Sequence, residues 1–434
     1  MSRDHDDVID RVTWRAVVIW SIAVLAYAIA VLARSSLSAT GVEAALRFET
    51  SASALSMFAV LQLAVYAGMQ IPAGIFLDRY GARIAITLGC ALIAGGQVAM
   101  AFASSVPEAV GARILVGGGD SFVFISVIRL VPAWFPPRAV PLTTQLTGMF
   151  GQLGQLGSLV PFVALLEARG WPTAFVTAGS LAALIAALVA IVVRDGRARV
   201  VVDLPEEPEP APAERDVAAV RPPTMLETWR DPGTRAGFWA HFVAPFPAYA
   251  FVLLWGSVYM TRAEGLSSDA SLGVLNFYVV ACLVMGPLLG VLAGRFPRRR
   301  LVLVLTVVGA QVLAWVLVLA WPGATPVPAL LVLATTMGAA GPGSLVGFDY
   351  ARETNPLRTL GLSTGMVNTG GFISTLTTML LVGVALDLLG EGTPDLITDR
   401  GFTLAWLTLV PLWALGVTML VRADGRLRRA RAAA

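Results

Sequence analysis

Long apolar stretches separated by short polar segments run along the whole chain. Each stretch is close to the roughly 20 residues that an α-helix needs to cross the hydrocarbon core of a bilayer. The pattern predicts an all-α polytopic membrane protein with twelve transmembrane helices. The predicted spans are Trp14–Ala39, Leu55–Leu77, Ile84–Phe102, Ala112–Trp134, Leu142–Leu165, Thr173–Val193, Gly237–Met260, Leu272–Ala293, Leu301–Trp321, Pro328–Gly347, Leu360–Leu388 and Phe402–Val421.

A polar segment divides these spans into two sets of six. Its centre, residues 205–212, alternates proline with glutamate, and a segment of that composition cannot bury a core, so we expect a flexible linker. The predicted organisation is then a cytoplasmic tail (1–13), a six-helix bundle (14–193), a cytoplasmic linker (194–236), a second six-helix bundle (237–421) and a cytoplasmic tail (422–434).

The two halves also resemble each other in sequence. The stretch Gly74–Arg83 has a counterpart in Gly290–Arg299, about half the chain later, and Thr147-Gly148 has one in Thr364-Gly365. These matches predict two pseudo-repeats of six helices. The second copy of the first motif departs from it, because Gly294 replaces its acid and Pro297 replaces its later glycine.

Composition and charge agree with a membrane location. The 434 residues are 56% hydrophobic and 14% charged, whereas soluble domains carry about 25% charge. With both termini in the cytoplasm, all but six of the 31 basic residues, which are all arginine, fall in cytoplasmic segments or helix ends, as the positive-inside rule requires. We therefore predict a multi-pass protein of the cell (inner or plasma) membrane. The six exceptions are Arg34, Arg47, Arg113, Arg169, Arg262 and Arg400.

Several motifs are missing from the sequence. Without lysine the chain has no Walker motif, and it contains no H-E-x-x-H metal motif and no G-x-S-x-G nucleophile elbow. Its two cysteines lie in apolar stretches, and its two histidines are too few for a zinc or haem site. We predict that the protein is not an enzyme, that it needs no cofactor or metal, and that it does not bind nucleic acid.

The polar turn between the second and third predicted helices carries the most specific motif, Gly74-Ile-Phe-Leu-Asp78-Arg79-Tyr-Gly81-Ala-Arg83. Gly81 supplies a residue suited to positive φ, and the arginines mark a cytoplasmic turn. The motif resembles G-x-x-x-D-R-x-G-R/x-R, the signature loop of the major facilitator superfamily. That resemblance implies two six-helix repeats that carry a substrate between them by alternating access.

The resemblance also implies a role for Asp78. In that family the equivalent carboxylate lies near the start of the eleventh helix and locks the halves together, and a helix N-terminus does stabilise an anion. On this basis we predict a gate formed by Gly74, Asp78, Arg79, Gly81 and Arg83. The alternative is a solvated loop acid paired with one of the two arginines.

Arg34 is the most informative charged residue of the first helix. Residues 16–33 carry no charge, and a helix that continues to Ala39 places Arg34 inside the membrane, where it costs at least about 2.5 kcal/mol. The stretch Tyr27–Leu37 resembles the first helix of the organophosphate permease-like and anion:cation symporter branches. That resemblance implies that Arg34 binds a phosphate or carboxylate of the substrate. The alternative is a shorter helix whose arginine extends to the outer headgroups.

The fourth helix adds Arg113 and Asp120, seven residues apart and therefore on one face about 10 Å from each other. Arg113 with Gly117 and Gly119 resembles the family motif R-x-x-x-G-x-G. Asp120, near mid-membrane, is either a proton-coupling site or the counter-ion of one of the two arginines. Arg129, closer to the cytoplasm, either pairs with the acid of the gate or lines the cavity.

Amide side chains inside membrane helices need polar partners. Gln152 in the fifth helix and Asn368 in the eleventh are therefore candidate substrate contacts. The glycines Gly148, Gly151, Gly154 and Gly157 predict a close-packing seam on the fifth helix. His241 in the seventh helix is either an interfacial histidine with its bonds satisfied or a titrating group.

Together these residues predict a secondary active transporter for a small organic anion, coupled to a proton or another ion. Arg34 and Arg113 would receive the anion, and a carboxylate is favoured over phosphate because the predicted seventh helix contains no arginine. We expect a monomer surrounded by lipid. One alternative is a proton-driven efflux antiporter for lipophilic or cationic compounds with Asp120 as its membrane carboxylate, and a remote one is a non-transporting sensor.

Overall fold

The computed structural model describes residues 11–49, 52–196, 224–391 and 398–433. Within these ranges the regular secondary structure is entirely helical, and eleven helical stretches are long and apolar enough to cross a membrane. One of them, Ala52–Phe102, holds two helices, because Gly81 breaks it with φ 83° and ψ 166°. The described part of the chain therefore contains the twelve predicted membrane helices.

We number these helices α1 to α12. The side of the bundle at which α1 begins and α12 ends is called the terminal face, and the turns α2–α3, α4–α5, α8–α9 and α10–α11 lie on it. Two short helices, Gly41–Arg47 and Met225–Arg230, lie outside this set. The bounds are α1 Trp14–Ala39, α2 and α3 the parts of Ala52–Phe102 before and after Gly81, α4 Val106–Trp134, α5 Val140–Arg169, α6 Trp171–Val192, α7 Pro232–Ala263, α8 Ser268–Arg295, α9 Pro297–Leu319, α10 Val327–Thr354, α11 Leu360–Leu388 and α12 Asp399–Ala433.

Helices extend into two segments that the sequence analysis left outside the bundles. Residues 224–236, assigned to the linker, form Met225–Arg230 and the first turn of α7, because Thr224 and Glu227 make a capping box and the Asp231 side chain caps Thr234. Residues 422–433, assigned to a tail, continue α12, with Leu427 buried on its inner face. The proline-rich centre of the predicted linker lies outside the described residues.

Each half buries most of its apolar side chains against itself. One hydrophobic core consists of residues of α7 to α12, and a second consists mainly of residues of α1 to α4 and α6, joined by four from α10 and α11. This arrangement fits two helical bundles that touch along limited seams.

Two seams join the halves, one between α2 and α11 and one between α5 and α8. On the first seam a side chain at Gly74 or Gly361 would collide with the backbone of the facing helix. On the second, Gly290 of α8 packs directly on Leu142 of α5. Glycine allows this close approach of backbones, as in other membrane helix pairs.

Candidate functional site

Asp78 closes the α2–α11 seam at the terminal face. Its two carboxylate oxygens accept hydrogen bonds from the backbone N–H groups of Gly361 and Leu362, each at 2.7 Å. These groups belong to the first turn of α11, where unpaired N–H groups and the helix dipole favour an anion. Asp78 is thus bound to the other half of the molecule, and the alternative of a solvated loop acid paired with Arg79 or Arg83 is wrong for this structure.

Arg129 of α4 reinforces the same contact. Its Nε lies 3.9 Å from a carboxylate oxygen of Asp78 and donates to the carbonyl of Leu357, just before α11. Its Nη1 donates to the carbonyl of Leu77 in α2. Of the two interpretations left open for Arg129, the structure supports the pairing with Asp78.

The rest of the motif forms the turn itself. Gly81 adopts the positive φ that reverses the chain, and the N–H of Arg83 donates to the Asp195 carboxylate that follows α6. The side chain of Arg83 is exposed, and the guanidinium of Arg79 lies 5.2 Å from the ring of Tyr80. Neither arginine reaches Asp78, and their contribution to gating stays a prediction.

At the centre of the molecule Arg34 pairs with Asp120. The guanidinium Nη1 of Arg34 lies 2.9 Å from one carboxylate oxygen of Asp120. The Asp120 side chain is fully buried, whereas that of Arg34 is 22% exposed, so part of the arginine side chain is accessible. Because α1 continues to Ala39, Arg34 lies within the helix, as predicted. Its partner is a carboxylate inside the bundle, whereas the alternative placed the Arg34 guanidinium at the outer lipid headgroups.

Tyr66 connects this ion pair to the second half. The Arg34 guanidinium lies 5.4 Å from the centre of the Tyr66 ring. The Tyr66 hydroxyl accepts a hydrogen bond from Nδ2 of Asn368 at 3.1 Å, and that same nitrogen donates to Gln70 at 2.8 Å. Asn368 is buried between the halves. Tyr66 therefore stands between Asn368 and the Arg34–Asp120 pair. Direct contact of Asn368 with a substrate stays a prediction.

Arg113 is bound by groups of α1 and α2. Its side chain is 1% exposed, and it donates to the carbonyls of Ala33 and Arg34 and to the side chain of Gln62. This arrangement fixes the backbone of α1 at the position of Arg34. Arg113 and Asp120 share a face of α4 and both contact α1, Arg113 at the backbone and Asp120 at the side chain of Arg34.

Gln152 lies partly exposed on α5 and forms no hydrogen bond within the described part of the chain. Three of the four glycines of the predicted seam, Gly151, Gly154 and Gly157, pack on α1, whereas Gly148 faces Leu345 of α10. In α7 the buried His241 is tied through Nδ1 to the carbonyl of Ser344 at 3.1 Å. The structure thus holds Gln152 near α1 without bringing it to the Arg34–Asp120 pair.

Sequence reasoning missed Tyr66, Gln62 and Gln70, which line one face of α2 at intervals of four residues. The two glutamines were the available signal, because amides in an otherwise apolar helix require partners. Tyr66 carried no signal of its own. Its role depends on which way α2 is rotated, and hydropathy does not fix this.

The comparisons with known proteins identify the family. The model of the Major Facilitator Superfamily matches residues 23–276, more than half of the chain. The chain therefore belongs to this superfamily of membrane transporters, and it is a multi-pass membrane protein and not an enzyme. The predicted family and the predicted twelve-helix fold are confirmed.

Two curated relatives carry small anions according to their names. The oxalate:formate antiporter of Oxalobacter formigenes is 28% identical over 138 residues, which are 31% of this chain and 32% of that protein. The probable nitrate/nitrite antiporter NarK1 of Thermus thermophilus is 25% identical over 296 residues, 65% of this chain and 62% of that protein. The chain thus matches about a third of the first relative and less than two thirds of the second.

Solved structures share the fold at lower identity. The human organic anion transporter MFSD10 (TETRAN) has a TM-score of 0.67 at 16% identity, covering 93% of this chain and 99% of that one. The E. coli fucose:proton symporter FucP has a TM-score of 0.61 at 14% identity, covering 94% and 99%. At such identities these similarities define the fold alone.

Proposed function

We propose that this protein is a secondary active transporter that moves a small organic anion, favouring a carboxylate, across the cell membrane by alternating access. The observation that carries the proposal is the partly exposed Arg34 paired with the fully buried Asp120 at the centre of the molecule. A guanidinium is a planar fork that binds an oxyanion through two parallel hydrogen bonds. Asp120 contacts Nη1 of Arg34, and in this proposal the remaining N–H groups of the guanidinium bind the incoming anion.

The buried Asp120 provides a means of coupling to a proton. An anion that draws Arg34 towards itself weakens the only ion pair of Asp120, whose other carboxylate oxygen has no hydrogen-bond partner in the described part of the chain. A buried carboxylate without its counter-charge is costly, and taking up a proton removes that cost. In this proposal substrate binding and protonation of Asp120 favour each other, which gives symport.

The charge available favours a small carboxylate over a phosphate dianion. Arg113 is occupied by the backbone of α1, and α7 contains no arginine between Gly237 and Met260, so Arg34 stands alone at the centre. The names of the two curated relatives, an oxalate:formate antiporter and a probable nitrate/nitrite antiporter, support an anionic substrate.

We further propose that the terminal face is cytoplasmic, with both chain termini on that side. The arginine distribution supports this orientation, since all but six of the 31 arginines then fall on the cytoplasmic side. Asp78, Arg129 and Asn368 join the halves between the terminal face and the centre. The structure then corresponds to a state closed to the cytoplasm, and the halves, 14–193 and 237–421, move as units about the substrate.

Transport by the purified protein in liposomes tests the proposal. We would measure uptake of labelled formate, oxalate, acetate, nitrate, phosphate and a lipophilic cation, with and without an inward proton gradient. We expect a carboxylate to accumulate with the gradient, Arg34→Gln to abolish uptake, and Arg169→Gln, which removes an exposed arginine at the end of α5, to leave it unchanged. Movement of the lipophilic cation alone, unaffected by Arg34→Gln, would overturn the proposal in favour of efflux.

A further inference from the structure

A second basic site lies in the other half of the molecule, at the terminal face and away from the Arg34–Asp120 pair. It is a pocket of about 240 Å³ between the α8–α9 turn and the ends of α10 and α12. None of its residues takes part in the gate or in the central ion pair. The pocket is lined by Pro297, Arg298, Arg300, Tyr350, Asp424, Arg428 and Arg431.

The pocket has an excess of positive charge. Four arginines line it, against one carboxylate, Asp424, which is already bound by the Tyr350 hydroxyl at 2.9 Å and by Nε of Arg428 at 2.6 Å. A second carboxylate, Glu353 at the edge, pairs with both Arg300 and Arg431. With both acids counted, two guanidinium charges remain uncompensated around a small space.

Arg300 forms the buried part of this pocket. Its side chain is 4% exposed and lies 5.8 Å from the centre of the Tyr350 ring. Its Nε has no hydrogen-bond acceptor within the described part of the chain. A buried donor without an acceptor is costly, and buried donors in folded proteins nearly always have a partner. The unpaired Nε of a residue that lines the pocket leaves a donor available to a bound acceptor.

We propose that this pocket binds a phosphate-type anion, either the headgroup of an acidic membrane phospholipid or free phosphate. A phosphate offers several charged acceptor oxygens, and arginine forks match its geometry. The pocket lies where α12 passes from its apolar stretch into an arginine-rich extension, and basic residues at the end of a membrane helix attract acidic headgroups. A bound phosphate links the beginning of α9 to the end of α12 and neutralises the excess charge between them.

Thermal unfolding of the purified full chain in neutral detergent tests this proposal. The unfolding temperature is followed while short-chain phosphatidylglycerol or inorganic phosphate is titrated at constant ionic strength. We expect a saturable rise with wild type. The double variant Arg298→Gln/Arg428→Gln should need at least about tenfold more ligand for half of the effect, because each arginine supplies a charge-assisted bond. The control variant Arg299→Gln/Arg426→Gln removes the same charge outside the pocket, and its response should equal that of wild type.

The two ligands separate the two sources of phosphate. A variant-sensitive rise with the lipid alone assigns the site to a headgroup, and one with inorganic phosphate assigns it to a soluble anion. Each variant is compared with its own unliganded state, since Arg428 also pairs with Asp424. If the double variant does not fold, Arg298→Gln, which breaks no ion pair, replaces it. Equal responses of the pocket and control variants, or no rise with either ligand, would overturn the proposal.

Discussion

The substitution Asp78→Asn should open the terminal face. In the structure the carboxylate accepts two backbone hydrogen bonds of 2.7 Å from the first turn of α11. Hydrogen bonds to a charged group contribute about 1.5–3 kcal/mol each, and the helix terminus adds about 0.3–1 kcal/mol for an anion. Asparagine keeps one acceptor oxygen but loses the charge and presents an amide N–H₂ to the second backbone donor.

We therefore expect the closed state to lose about 2 kcal/mol relative to the open state, because the contact exists only when the halves meet at this face. A loss of that size changes the ratio of closed to open molecules by about thirtyfold. The measurement is the distance between spin labels placed at Tyr80→Cys and Arg358→Cys, which are exposed on opposite sides of the seam, determined by pulsed electron paramagnetic resonance. The native Cys90 and Cys282 are buried and are replaced by alanine in this background.

The matched control is Asp195→Asn. This variant removes the same charge at the same face and also weakens a bond to a backbone N–H, that of Arg83, but it acts within one half of the molecule. In Asp78→Asn the fraction of molecules with the short spin-label distance should fall, and in Asp195→Asn that fraction should equal the wild-type value. Equal distributions in wild type and Asp78→Asn would refute the assignment of Asp78 as the latch of this seam.

Three further substitutions test the contacts around the gate and the centre. Gly361→Ala places a methyl group against the Asp78 carboxylate and the Gly74 backbone, so it should shift the same spin-label distances towards the open state, while Gly68→Ala, where a methyl group meets nothing within 4 Å, should not. Asn368→Ala removes two hydrogen bonds between the halves and should destabilise the closed state by about 1–2 kcal/mol, seen in the same distances. Arg113→Gln removes the guanidinium bonds to the carbonyls of Ala33 and Arg34 and to the side chain of Gln62, and it should lower the free energy of unfolding by about 2–4 kcal/mol in thermal melts, with Arg169→Gln as its unaffected counterpart.

The sequence was sufficient for the helices, because bilayer thickness imposes a length that apolar stretches must meet. It also placed Arg34 inside α1 and the chain reversal at Gly81, since an interior charge and a positive φ are local properties of the sequence. The contact between Asp78 and α11 joins residues far apart in the chain. Only the resemblance to a family motif predicted it.

Side-chain direction was the part that could not be predicted. The spacing of Arg113 and Asp120 puts them on one face of α4, but it does not tell which neighbouring helix each contacts. Likewise, the position of the Tyr66 side chain depends on how α2 is rotated about its own axis. The extension of α12 to Ala433 was missed because its arginines resemble a solvated tail, while the few apolar residues that hold it, such as Leu427, make too weak a pattern.

The two seams between the halves are alike in backbone packing but unlike in chemistry. Position 294 of α8 has no carboxylate, and a methyl group at this glycine would meet only ordinary van der Waals neighbours in α5, whereas Asp78 of α2 makes two short hydrogen bonds to α11. Opening at the terminal face thus breaks the charged bonds of Asp78 on one side, whereas the α5 side carries a neutral bond from Gln145 to the carbonyl of Pro342. We expect the α5–α8 seam to act as the hinge while α2 and α11 separate. Spin-label pairs across each seam would compare the two distance changes. The two pseudo-repeats therefore give two unlike seams, and the bonds of Asp78, Arg129 and Asn368 hold only the α2–α11 side closed.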